Sequence, residues 1–164
     1  MSAKELTIFA PESALSEGLL SVLAKDLLLV VDAVPLSLGL SFDFSAQKGS
    51  ARSYFAIEYK RDDSALIREV MEWERPSDSY KNMLDACKSS VSLYYRELDV
   101  AKDALLKLGA TLKAGWSSSC LVDNGRGCLL KFDDVLVCIN QRPQWSWEKE
   151  QFPELPDVAA SEWE

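Results

Sequence analysis

The apolar positions change period several times along the chain, and each change predicts an element. Leu6 to Ala10 is a short run that predicts a first strand. Pro11 then suits the first helical position, where its missing N–H costs nothing. Leu15, Leu19, Val22 and Leu23 follow at helical spacing, so a helix is expected from residue 11 to about residue 26. Leu27 to Val31 either extends that helix or opens a strand, and Pro35 ends it in both cases. From Leu36 to Phe44 apolar residues alternate strictly with Ser37, Gly39, Ser41 and Asp43, the mark of a strand with one buried face. After a turn rich in Gln, Lys, Gly and Ser, the segment from Ser53 to Lys60 alternates again, with Phe55, Ile57 and Tyr59 on one face. The two segments predict a hairpin.

Helical spacing returns after Asp62-Asp63-Ser64, residues that can cap a helix by accepting from its orphan N–H groups. Leu66, Ile67, Val70 and Met71 form its apolar face, and Arg75-Pro76 stops it. Ser77-Asp78-Ser79 is a second cap. A stripe of Leu84, Cys87, Val91, Tyr94, Leu98, Ala101, Leu105 and Leu108 then predicts one long helix ending at Gly109, unless Ser89-Ser90 breaks it. Unbroken, it would be roughly 40 Å long at the usual rise per residue. Trp116 to Val122, Cys128 to Phe132 and Val135 to Asn140 predict a three-strand meander, joined by the turns Asp123-Asn124-Gly125-Arg126-Gly127 and Asp133-Asp134. The expected fold is α+β in a single domain over residues 1–142: an antiparallel β-hairpin and a three-strand meander packed with one long and two shorter helices.

Beyond residue 142 periodicity disappears. Residues 143–164 carry six acids against one lysine, three prolines and three of the five tryptophans. Trp145 and Trp147 share a face in an extended chain. Such a tail either docks its indoles on its own sheet or offers them to a partner. The expectation taken forward is a partner-binding arm made of Trp145, Trp147, Glu148, Glu150, Glu154 and Trp163, because tryptophan is the residue type most enriched at binding hot spots.

Composition narrows the chemistry. The chain has 164 residues, 48% of them hydrophobic, and a formal net charge of -8. That charge opposes binding to phosphate backbones and attracts a basic protein surface. No histidine is present, which excludes Ser-His-Asp and Cys-His sites and removes the commonest metal ligand. None of Cys87, Cys120, Cys128 and Cys138 forms a Cys-x-x-Cys pair. Cys87 and Cys138 read as small buried hydrophobes, and Cys120 and Cys128 are out of register for a disulfide across their turn. The first five residues lack an apolar signal core, and the Leu27 to Val31 run is too short to span a bilayer. These features give the expectation of a cytoplasmic protein with reduced thiols, no membrane contact, no metal and no cofactor.

Glu69, Glu72 and Glu74, near Asp62 and Asp63, are candidates for acid–base work, but the Arg68/Glu72 spacing suits a solvated helix face. Asp123-Asn124 resembles the start of a calcium loop without the further oxygen ligands. No phosphate-cradling glycine motif and no basic–aromatic cluster occurs. The function expected is therefore non-enzymatic: an acidic bacterial immunity protein that neutralises a toxin by direct binding to a basic surface. The alternatives are a secretion chaperone for an effector protein, or a small-molecule sensor whose pocket Tyr94 and Tyr95 would line. Oligomeric state is left open.

Overall fold

Seven strands in one antiparallel sheet and five helices make up the fold, in a computed structural model that describes residues 4–11, 14–35, 42–49, 54–112, 117–125 and 129–148. In chain order the elements are β1 (Lys4–Ala10), α1 (Glu17–Asp26), β2 (Val30–Pro35), β3 (Phe42–Lys48), β4 (Phe55–Lys60), α2 (Ser64–Glu74), α3 (Asp78–Ala86) and β5 (Ser89–Tyr95). They continue with α4 (Leu98–Thr111), a 3-10 turn at Ser117–Ser119, β6 (Leu121–Asp123), β7 (Leu129–Lys131) and α5 (Phe132–Gln141). The strand order is β2-β3-β4-β5-β1-β6-β7. The α+β architecture is the one the sequence predicts, and the predicted β3–β4 hairpin is present.

Alternation sorts the sheet residues onto two faces. Leu6, Ile8, Ile57, Tyr59, Val91, Leu93, Val122 and Leu130 point into the larger core, beneath α1, α4 and α5. Phe9, Leu121 and Leu129 point the other way, against Ile67 and Val70 of α2 and Tyr80 and Leu84 of α3. Among the described residues, this smaller cluster contains no side chain of β3, β4 or β5. The helices α1, α4 and α5 thus pack on one face, and α2 and α3 on one end of the other.

The expected long helix is corrected. Its middle is β5, which lies between β4 and β1 at the centre of the sheet. Val91 fits both a helical stripe and an alternating one, so period alone does not decide. The alternating set Val91, Leu93 and Tyr95 is buried to 0–1% exposure, and Ser89 and Ser90 are buried too. The serine hydroxyls are satisfied by long-range partners: Ser89 Oγ donates to the Ala10 carbonyl at 3.1 Å, and Ser90 Oγ to Asp63 Oδ2 at 2.6 Å. Serine competes with helical hydrogen bonding through such side-chain bonds, and the flanks of the stripe remain helical as α3 and α4.

The third strand of the expected meander is also corrected, to helix α5. Phe132, Val135, Cys138 and Ile139 are buried at spacings of three, three and one, which is a helical face. Asp133 and Asp134, read as a turn, occupy the first turn of α5, where carboxylates complement the helix dipole. At the other end of the chain, α1 starts later than expected. Its first residue is Glu17, not Pro11, and Ser16 caps it, accepting from the Leu19 N–H at 3.2 Å. The strand expected from Leu36 falls partly outside the described residues. Its described part begins at Phe42 and runs on to Lys48, through residues assigned to the turn.

The capping signals of the middle helices hold with one change of partner. Ser77 caps α3 by accepting from the Tyr80 N–H. At α2 the acids act differently: Asp62 Oδ1 accepts from the N–H and hydroxyl of Ser64, while buried Asp63 holds Ser90 across the sheet. Arg75, at φ 46°, ends α2 before Pro76.

Candidate functional site

The end of α2 and the end of β6 enclose a groove of about 410 Å³ lined by Leu66, Glu69, Val70, Trp73, Glu74, Asp123 and Gly125. Leu66, Glu69, Val70 and Trp73 recur three and four apart, so they share one helix face and make one wall. Trp73 stands at the rim with 79% of its surface exposed. The facing wall is the turn after β6. Asp123 Oδ1 accepts from the Gly125 N–H at 2.8 Å, which closes the turn, and Gly125 takes φ +74°, a backbone state glycine adopts without strain.

Glu74 and Asp123 meet on the groove wall through a hydrogen bond between their carboxyls. Burial pushes the Glu74 carboxyl up to about 8, and the neighbouring Asp123 charge and the hydrogen bond add to the shift. Asp123 is raised as well, chiefly by burial, with the Gly125 N–H and the Glu74 bond opposing. At neutral pH Glu74 therefore holds the proton and donates to the Asp123 carboxylate. Its Oε2 atom is buried with no hydrogen-bond partner.

The part of the second sheet face formed by β1, β4 and β5 carries two further acids, Glu5 and Glu58, the latter paired with Lys60. Thr7 and Ser92 share a hydrogen bond of 3.2 Å there, and half-buried Tyr94 lies near Glu5 and Glu58. Burial, with help from those two carboxylates, pushes the Tyr94 phenol up to about 12. The charge of Glu5 acts on both Tyr94 and Asp123, so the sheet face and the groove lie within one field.

Of the sequence-predicted site residues, the structure describes Trp145, Trp147 and Glu148, and none of them lines this groove. Trp145 and Trp147 are 4% and 1% exposed and belong to the large core, so neither presents its indole to a partner. Trp147 Nε1 donates to Tyr95 Oη at 2.8 Å, and Asn124 Nδ2 donates to the Trp147 carbonyl at 3.0 Å. Glu148 accepts from Tyr95 Oη and pairs with Lys4. Residues 143–148 are thus joined to the domain rather than set apart from it. Glu150, Glu154 and Trp163 lie outside the described residues. Tyr95, expected to line a sensor pocket, is buried beneath Trp147 instead.

Among the acids weighed in the sequence, Glu72 and Asp62 are exposed, as is Arg68, the basic residue spaced to pair with Glu72. Glu69 and Glu74 enter the groove. The partner of Glu74 was legible only as a turn residue, because nothing local in the sequence links α2 to the end of β6. Cys87, Cys120 and Cys138 are buried free thiols. Burial pushes Cys87 and Cys120 up to about 12 and Cys138 up to about 11, so none is poised as a nucleophile. Cys128 lies outside the described residues. Among the described residues no group of three acidic or thiol side chains is placed to hold a metal ion, and no helix is long and apolar enough to cross a membrane. No family model matches the chain, and no curated protein or solved structure matches it.

Proposed function

We propose that the chain is a non-enzymatic binding protein of the immunity type, which neutralises a protein partner by docking a basic surface of it on the acidic face that runs from Tyr94 to the α2 groove. The observation that carries this reading is Trp73: a tryptophan 79% exposed at the mouth of a groove walled by Glu69, Glu74 and Asp123. An exposed indole beside carboxylates is an anchor for a cationic, partly apolar surface. The net charge of -8 steers such a surface toward the face. Trp145 and Trp147 are buried, whereas Trp73 and Glu69 on this face are accessible.

A second reading draws on the Glu74–Asp123 pair itself, since two carboxyls sharing a proton in a cleft can perform acid–base hydrolysis. One feature favours binding over that chemistry: the Gly125 N–H bonds Asp123 instead of standing free for an oxyanion. The contact between the carboxyls also excludes a glycosidase pair, which stands ~5–9.5 Å apart to admit substrate or water.

The test is to purify the chain from its source cells, identify the protein that comes with it, and express that protein with and without this chain. The reading expects the partner to harm growth alone and to be silent in the complex. It also expects Glu5→Lys with Glu58→Lys to abolish protection while leaving the denaturant melt unchanged. A partner with no harmful activity of its own points to a chaperone role instead.

A further inference from the structure

We infer that the α2 groove takes an arginine side chain of the partner, with its guanidinium against the Glu74–Asp123 carboxyl pair and its stem along Trp73. This inference rests on the proposed binding role and names the chemistry the groove selects. Three observations fit that occupant together. The walls contributed by Leu66, Val70 and the Trp73 indole are apolar and suit an alkyl stem. Trp73 exposes a ring face on which a guanidinium stacks better than a strongly hydrated ammonium. The groove is lined by two adjacent carboxyls, and no protein N–H donates to the buried Oε2 of Glu74. A planar fork of five N–H donors satisfies several carboxylate oxygens at once, including one that lacks a bond; a point charge cannot do so as well.

Occupation has a proton balance. The empty pair shares one proton, held by Glu74, and carries one negative charge. Each guanidinium that enters favours the doubly ionised pair, so Glu74 releases its proton to solvent and the N–H donors of the arginine replace the lost carboxyl–carboxylate bond. The charged groups acting on the pair are both carboxyls themselves and Glu5 from β1; Glu69 lines the same groove from α2. All of them are acidic, so each favours a cation. Binding should therefore strengthen as pH rises toward and past the Glu74 titration, by up to about tenfold per pH unit below it.

The experiment uses the full chain and N-acetyl-arginine amide as probe, followed by the Trp73 indole N–H resonance, which a Trp73→Phe variant assigns. The expected result is a saturable shift with the arginine probe, none with the uncharged isostere N-acetyl-citrulline amide, and a weaker one with N-acetyl-lysine amide. Affinity should rise by about tenfold or more between about pH 6 and about pH 8. That rise should flatten in Glu74→Gln, which still donates to Asp123. Equal response to the arginine and citrulline probes, or an arginine affinity independent of pH in the wild-type chain, overturns the inference. Resonances elsewhere in the spectrum report whether each variant is folded. If the arginine probe fails while the partner's complex still depends on Glu5 and Glu58, the groove inference falls alone; a complex indifferent to those residues and to Trp73 removes the wider reading.

Discussion

Trp147 donates its indole N–H to the hydroxyl of Tyr95, and the two rings meet edge to face at 5.9 Å between centroids. This contact ties the segment after α5 to the last residue of the central strand β5. Trp147→Ala should destabilise the fold by about 3–5 kcal/mol, the usual cost of emptying a large aromatic site. Tyr95→Phe should cost about 1–3 kcal/mol, since it leaves the buried Trp147 N–H without its acceptor and Glu148 without a donor, while the packing stays. Denaturant melts of both variants measure this. An unchanged midpoint in Trp147→Ala would mean that the segment does not contribute to the core.

A second long-range bond holds α2 over the sheet. Buried Asp63 accepts from Ser90 Oγ at 2.6 Å, and its N–H donates to the Lys88 carbonyl at 2.7 Å. Ser90→Ala leaves a buried carboxylate short of one donor, and a hydrogen bond to a charged group is worth ~1.5–3 kcal/mol. The expected loss in an equilibrium melt lies in that range, and Ser90→Thr, which restores a hydroxyl, should recover part of it. A neutral Ser90→Ala would show that Asp63 is served by other donors.

The Glu74 carboxyl links stability to pH. Its folded value, about 8, lies above the ordinary value of 4.5, so between these limits the folded chain binds more protons than the unfolded one. Stability from this group is complete at low pH and is lost as pH rises through the folded value. Comparing wild type with Glu74→Gln cancels the other titrations to first order. The midpoint of the wild type should fall relative to the variant between about pH 5 and about pH 9. A constant difference across that range would contradict the shared proton.

The thiols give a count. The denatured, unreduced chain should show all four cysteines reactive toward a thiol reagent. In the native chain Cys87, Cys120 and Cys138 should react far more slowly, because each is buried and its thiol is held above its ordinary value. A denatured count of two or zero would reveal a disulfide and overturn the reduced-thiol expectation.

Much of the local structure was legible in the sequence, and its limits have physical causes. The face formed by Phe55, Ile57 and Tyr59 and the stops at Arg75-Pro76 and Gly125 depend on a few neighbouring residues, so pattern reveals them. The segment from Ser89 to Tyr95 was read as helix because Val91 and Tyr94 satisfy a helical stripe; its serines find partners, Ala10 and Asp63, that only the folded sheet supplies. Trp145 and Trp147 suit both an arm and docking on the protein's own sheet, and the choice for docking is made by Tyr95 and Asn124, which only the fold brings beside them. The groove was hidden for the same reason. Glu74 reads as one more acid on a solvated helix, and Asp123 as one more turn residue, until α2 crosses the end of β6.

The binding account is tested most directly by titrating the co-purified partner with wild type and Trp73→Ala at low and high salt, beside a denaturant melt of each. Trp73 is exposed, so its removal should leave the melt unchanged. The account predicts an affinity loss of about thirtyfold, the ~2 kcal/mol of a binding anchor. It also predicts an association rate that falls with salt in both proteins, because exposed charges are screened beyond ~8 Å at physiological ionic strength. An unchanged affinity in a Trp73→Ala protein that folds normally, or an association rate indifferent to salt, would contradict it.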